Sequence, residues 1–140
     1  MNELRLDWTA TAAVFNDLCR EAHAMAKAKG FHDVYSVIGS VVENTALDET
    51  DPEPKMLRDA ADQAQMARVV GEIGEAVEAM RHGNPPSEKI PGFSHVEEEI
   101  ADTFIRLFDF CGQRGYHIGS AILHKMQHNL GRPRLHGKQS

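Results

Sequence analysis

Cysteine is scarce in this chain. Cys19 and Cys111 are the only two among 140 residues, and they form neither a CxxC pair nor any metal-ligand spacing. That excludes a disulfide scaffold. Two isolated thiols fit a reducing cytoplasm, where such residues serve as small buried apolar side chains. Long apolar runs are missing too: none approaches 18 residues, so no membrane span is expected. The start, Met1-Asn2-Glu3-Leu4-Arg5, has neither the basic residues nor the apolar stretch of a secretory signal, and a soluble cytoplasmic protein is expected. Strand-like alternation is nearly absent. No glycine-rich phosphate loop and no Ser/His/Asp pattern stands out.

Acidic residues are missing from one end. The net charge is −6, which argues against a general nucleic-acid partner. Yet every Asp and Glu lies at or before Asp109. Beyond it come only Arg114, Lys125, Arg132, Arg134 and Lys138, with four of the eight histidines. Residues 1–109 therefore carry −11, and the remainder +5. Either a basic tail neutralises an acidic body, or folding brings an acidic metal site to a cationic phosphate site.

What is present is helical periodicity. Five segments read as helices of one domain, 1–140: about 9–29, 34–46, 55–81, 94–114 and 118–130. Gly30, Gly115 and Gly131 are natural stops. Ser94 with Glu97 forms the pattern of a capping box. An acidic loop over 47–54 and a Pro-rich turn at Pro85-Pro86 break the chain, and 131–140 reads as an extended basic tail. The fold class expected is an all-α bundle of about five helices.

One short internal repeat carries chemistry. Glu72-Ile-Gly-Glu aligns with Glu99-Ile-Ala-Asp, each followed by apolar residues in the same helical phase. Ile73, Val77 and Met80 form an apolar stripe on the third helix. Ile100, Phe104, Leu107 and Cys111 form one on the fourth. The acids flank these stripes, and residues three apart on a helix can share a ligand. Packing the two helices together clusters Glu72, Glu75, Glu99 and Asp102. Four carboxylates at close range repel unless cations neutralise them, and hard oxygen donors select Mg²⁺, Mn²⁺ or Ca²⁺. The bland reading is a set of solvated acids. The fourth helix weighs against it, because Phe104, Ile105, Leu107, Phe108 and Phe110 surround it and require burial or a subunit interface. Glu-x-x-His, as in di-iron bundles, is absent. His124 and His128, spaced i, i+4, form a weak zinc candidate without His-Glu-x-x-His.

These motifs resemble a known family. Gly71-Glu-Ile-Gly-Glu-Ala-Val-Glu-Ala-Met80 followed by Glu97-Glu-Glu-Ile-Ala-Asp-Thr-Phe-Ile-Arg-Leu107 is similar to the ExxE…ExxD signature of MazG-like nucleotide pyrophosphohydrolases, in the all-α NTP pyrophosphatase superfamily. Lys125-Met-Gln-His-Asn129, Arg132-Pro133 and His136-Gly-Lys138 are similar to the family's closing segment. Ala26-Lys-Ala-Lys-Gly-Phe-His-Asp33 is like the end of its first helix. The sequence departs at His32, where related members often carry Trp, and over residues 36–54, which look longer than in compact members.

The resemblance implies a homodimer or dimer of dimers and Mg²⁺-dependent cleavage of a nucleoside triphosphate to monophosphate and pyrophosphate, Mn²⁺ being a possible substitute. It implies Glu72, Glu75, Glu99 and Asp102 as metal ligands, and Lys125, Asn129, Arg132 and Lys138 as phosphate or nucleotide contacts. Phe31 and His32 are candidates for stacking on a base. A carboxylate beside the metal takes a proton from water, and Glu78, one turn beyond Glu75, is a candidate to assist it. House-cleaning of ordinary or modified (d)NTPs is the leading expectation. A dUTPase-like activity on the same scaffold and a non-catalytic metal-binding or oligomerisation module are the alternatives.

Overall fold

A computed structural model of the chain describes residues 4–48 and 50–132. Five helices follow in order among the described residues: α1 (Trp8–Ala28), α2 (Asp33–Glu43), α3 (Pro52–Arg81), α4 (His95–Arg114) and α5 (Ile118–Leu130). The all-α expectation is borne out, and no helix of the described residues is long and apolar enough to cross a membrane.

Each boundary has a local cause. Asp7 caps α1, its carboxylate accepting from the Ala10 amide at 2.9 Å. α3 begins earlier than the periodicity suggested. Pro52, Glu53 and Pro54 belong to its first turn rather than to the acidic loop, because proline's fixed φ suits that position and its missing N–H costs no hydrogen bond there. α2 stops at Glu43, not near residue 46. The capping box at α4 is present: Ser94 accepts from Glu97 N, and Glu97 returns to Ser94 N at 2.8 Å. Gly115 ends α4 in the left-handed region at φ 64°.

α4 is the hub. It packs along both α3 and α1, α5 lies on α1, and α2 lies on α3. The α1–α4 crossing is close because Gly112 has no side chain. A β-carbon there would overlap the Cys19 carbonyl and sit 2.8 Å from His23 Cβ. Gly119 plays the same part against Ala12 on α1, where a β-carbon would meet backbone at 2.9 Å.

The α3 stripe and the first half of the α4 stripe do not face the core of the single chain, whereas Leu107 is half-buried and Cys111 is buried. Ile73 is 50% exposed and Phe104 52%, and Val77, Met80 and Ile100 are exposed with them. Glu72, Glu98 and Glu99 are buried instead. The expected arrangement, stripe inward and acids at its edge, is thus rotated. The acids occupy the α3–α4 seam, and much of the apolar surface of both helices is turned outward. Cys111 and Cys19 are buried as expected.

Candidate metal centre

The link between α3 and α4 sets the position of the acids. Asn84 adopts φ 50°, the one non-glycine positive φ among the described residues. Its amide oxygen accepts from Val96 N at 3.0 Å. The turn is tied again by His95 N donating to Pro85 O at 2.8 Å and Ser87 N donating to Phe93 O at 2.9 Å. α4 therefore enters beside the last turns of α3, and its first carboxylates face the seam.

Glu72, Glu75 and Glu99 each offer an oxygen, and the three oxygens lie within 4.8 Å of one another. Glu99 is almost wholly enclosed, with its side chain 1% exposed. Its Oε1 lies 2.9 Å from His95 Nε2, and its Oε2 has no hydrogen-bond partner. Burial first, and then the nearby Glu75 charge, push the Glu99 carboxyl above its ordinary range. A buried carboxylate oxygen facing two more carboxylates is a costly arrangement unless something positive joins it. These donors are hard oxygens, and they fit Mg²⁺ or Mn²⁺.

Asp102, one turn beyond Glu99, is not part of this three-acid group. It lines an adjoining cavity of about 290 Å³ with Met25, Phe31, Ile105, Lys29, Arg68 and Arg106. Arg106 connects cavity and cluster, since its Nε lies 2.5 Å from Glu72 Oε1. The cavity thus combines an apolar wall, three cations and two carboxylates, Asp102 and Asp109.

The remaining candidates are placed unevenly. Phe31 is exposed and lines the cavity. His32 is buried, 2.7 Å from Asp109, and its ring stacks on Tyr35 rather than standing free for a base. Glu78 is exposed and pairs with Arg81 and His82, outside the acidic group. Lys125, Asn129 and Arg132 are exposed, and none lines the cavity within one chain. Lys138 lies outside the described residues.

Several site residues went unnoticed in the sequence. Glu98 is buried and held by Lys89 Nζ at 2.5 Å and by Ser87. Those two bonds, Lys89's foremost, keep its carboxyl below the ordinary range, and the same pairing raises Lys89. The run Glu97-Glu98-Glu99 was the available signal. Only the turn's geometry separates the cap Glu97, the anchored Glu98 and the enclosed Glu99 within it. Arg68, Arg106 and Asp109 gave no such signal, since helix spacing alone does not reveal which charges line a cavity between three helices. The chain matches no family model, no curated protein and no solved structure.

Proposed function

We propose that the chain is a Mg²⁺-dependent nucleoside triphosphate pyrophosphohydrolase of the MazG-like type. The observation that carries the reading is the buried, half-unpartnered Glu99 converging with Glu72 and Glu75 beside a cavity that holds both cations and an apolar wall. Glu72, Glu75 and Glu99 would hold the metal, with Asp102 one turn further along α4 as the fourth ligand, and Mn²⁺ would substitute for it. When bound, the metal polarises the α-phosphorus and lowers the pKa of a coordinated water.

The chain's own residues do the rest. Arg106 neutralises Glu72 in the metal-free protein, and an incoming triphosphate gives this guanidinium a second anion to pair with. Lys29 and Arg68 face the same cavity and supply further positive charge for phosphate oxygens. Phe31 offers an apolar surface to a base or sugar. A carboxylate beside the metal that is not spent on coordinating it accepts the proton from water. Lys125, Asn129, Arg132 and Lys138 are assigned to nucleotide contact on the family resemblance alone.

The active form in this reading is a dimer or dimer of dimers. The outward stripe of Ile73, Val77, Met80, Ile100 and Phe104 supports it, because water is a poor neighbour for so continuous an apolar face. A second copy over that face buries it and helps to close the cleft.

The test is a screen of dNTPs and NTPs with Mg²⁺, with products separated by ion exchange. Monophosphate and pyrophosphate are expected from at least one substrate. Diphosphate with orthophosphate alone would show that attack is not at the α-phosphorus.

A further inference from the structure

A second group of ligating side chains lies apart from the three-acid cluster. His23 on α1, His32 in the α1–α2 turn and Asp109 on α4 converge from three separate stretches of chain. His23 Nδ1 lies 3.0 Å from Asp109 Oδ1, and His32 Nε2 lies 2.7 Å from the same oxygen. The two imidazole rings meet edge to face with centroids 4.6 Å apart. All three donor atoms fall within 4.8 Å of one another.

We propose that His23, His32 and Asp109 form a binding site for a borderline divalent cation of the Zn²⁺ class. It is separate from the Mg²⁺ cluster and does not depend on the pyrophosphohydrolase reading. The donor set is two imidazole nitrogens and one carboxylate oxygen, which suits such ions and not Mg²⁺. Bonds of about 2.0–2.1 Å place neighbouring donors roughly 2.9–3.4 Å apart, and the 3.0 and 2.7 Å spacings from the two nitrogens to Asp109 are close to that range.

The setting also suits a metal. His32 is buried, and its ring is fixed by the stack on Tyr35. Tyr35 donates in turn to Asp62 at 2.8 Å, and Asp62 pairs with Arg114. Outer supports of this kind orient ligands. Asp109 also lines the 290 Å³ cavity, which brings that cavity to one of the three donors. Three protein donors leave the fourth position of a tetrahedral ion to water or a small anion. By contrast, the α5 pair His124 and His128 is joined by no third donor among the described residues.

The experiment titrates Co²⁺, as a spectroscopic stand-in for Zn²⁺, into the untagged full chain in millimolar Mg²⁺. The visible absorption of nitrogen-bound Co²⁺ is followed, and metal content is measured after gel filtration. One Co²⁺ per chain is expected, displaced by Zn²⁺. His23→Gln, His32→Gln and Asp109→Asn should each weaken it at least about tenfold. Glu75→Gln and His128→Gln should retain it. His23 is half-buried, so His23→Gln preserves the test even if His32→Gln unfolds, and circular dichroism checks helicity in every variant. Absence of Co²⁺ uptake by the wild type would overturn the proposal. So would uptake unchanged in folded His23→Gln, and either result leaves the three residues as a hydrogen-bonded brace. Neither bears on Mg²⁺-dependent hydrolysis, which is read by pyrophosphate release.

Discussion

Glu99 is held where a carboxylate is least comfortable: enclosed, with one oxygen bare and Glu75 nearby. Replacing it with Gln removes the charge and keeps the shape. In EDTA, Glu99→Gln should melt higher than wild type by on the order of a few degrees, because the buried-charge penalty is gone. Mg²⁺ should raise the melting temperature of wild type and leave this variant nearly unmoved. Glu75→Gln and Asp102→Asn should stay helical while losing turnover by about 100-fold or more. Wild-type activity in both would remove these acids from the site. At this scale the sequence was partly legible. The paired Glu-x-x-Glu and Glu-x-x-Asp spacing points to α3 and α4, where Glu72, Glu75 and Glu99 converge and Asp102 stands outside the group. It was silent on Arg106 and Asp109. Their roles depend on which helix faces them, and that is not a property of their neighbours in the chain. It also put His32 forward for stacking, whereas Asp109, 77 residues away, engages it.

Helices α1 and α4 approach through a glycine rather than through interlocking side chains. Gly112→Ala should therefore cost about 2–3 kcal/mol, far more than a helical Gly→Ala ordinarily would, since the new methyl meets the Cys19 carbonyl and His23. Gly71→Ala or Gly74→Ala, with nothing within 4 Å, should stabilise α3 by roughly 1 kcal/mol. Equal effects from urea unfolding at all three positions would contradict the close crossing. Helix identity and most ends are readable because caps are local: Ser94 with Glu97, and Gly115, each act within a turn. The start of α3 was misjudged because a proline was taken for a breaker when it was an opener. The facing of α3 and α4 was misjudged for another reason. Amphipathic phase shows that a stripe exists, but not whether this chain or another surface covers it.

At the scale of the whole molecule, the outward apolar residues of α3 and α4 are left uncovered by the single chain. Size-exclusion chromatography with light scattering at micromolar concentration should give twice or four times the 15.6 kDa of the chain. Phe104→Glu should shift it toward monomer while keeping its helical signal, because Phe104 is exposed within the single chain. A stable wild-type monomer would end the dimer proposal. The excess of apolar residues on α4 was visible in the sequence, and the exposed Ile100, Phe104 and Ile105 keep that reading open.

The order of packing has a consequence for synthesis. α1 is made before the helices it packs against, α4 and α5. α3 and α4 are joined by the tied 82–94 link and can pair as soon as α4 emerges. α1 waits, with Cys19, Ala22 and Ala26 uncovered, until α4 and α5 have been made. Its newborn apolar face is thus a natural holding point for a chaperone, and slow translation through α4 lengthens the interval in which misassembly can begin.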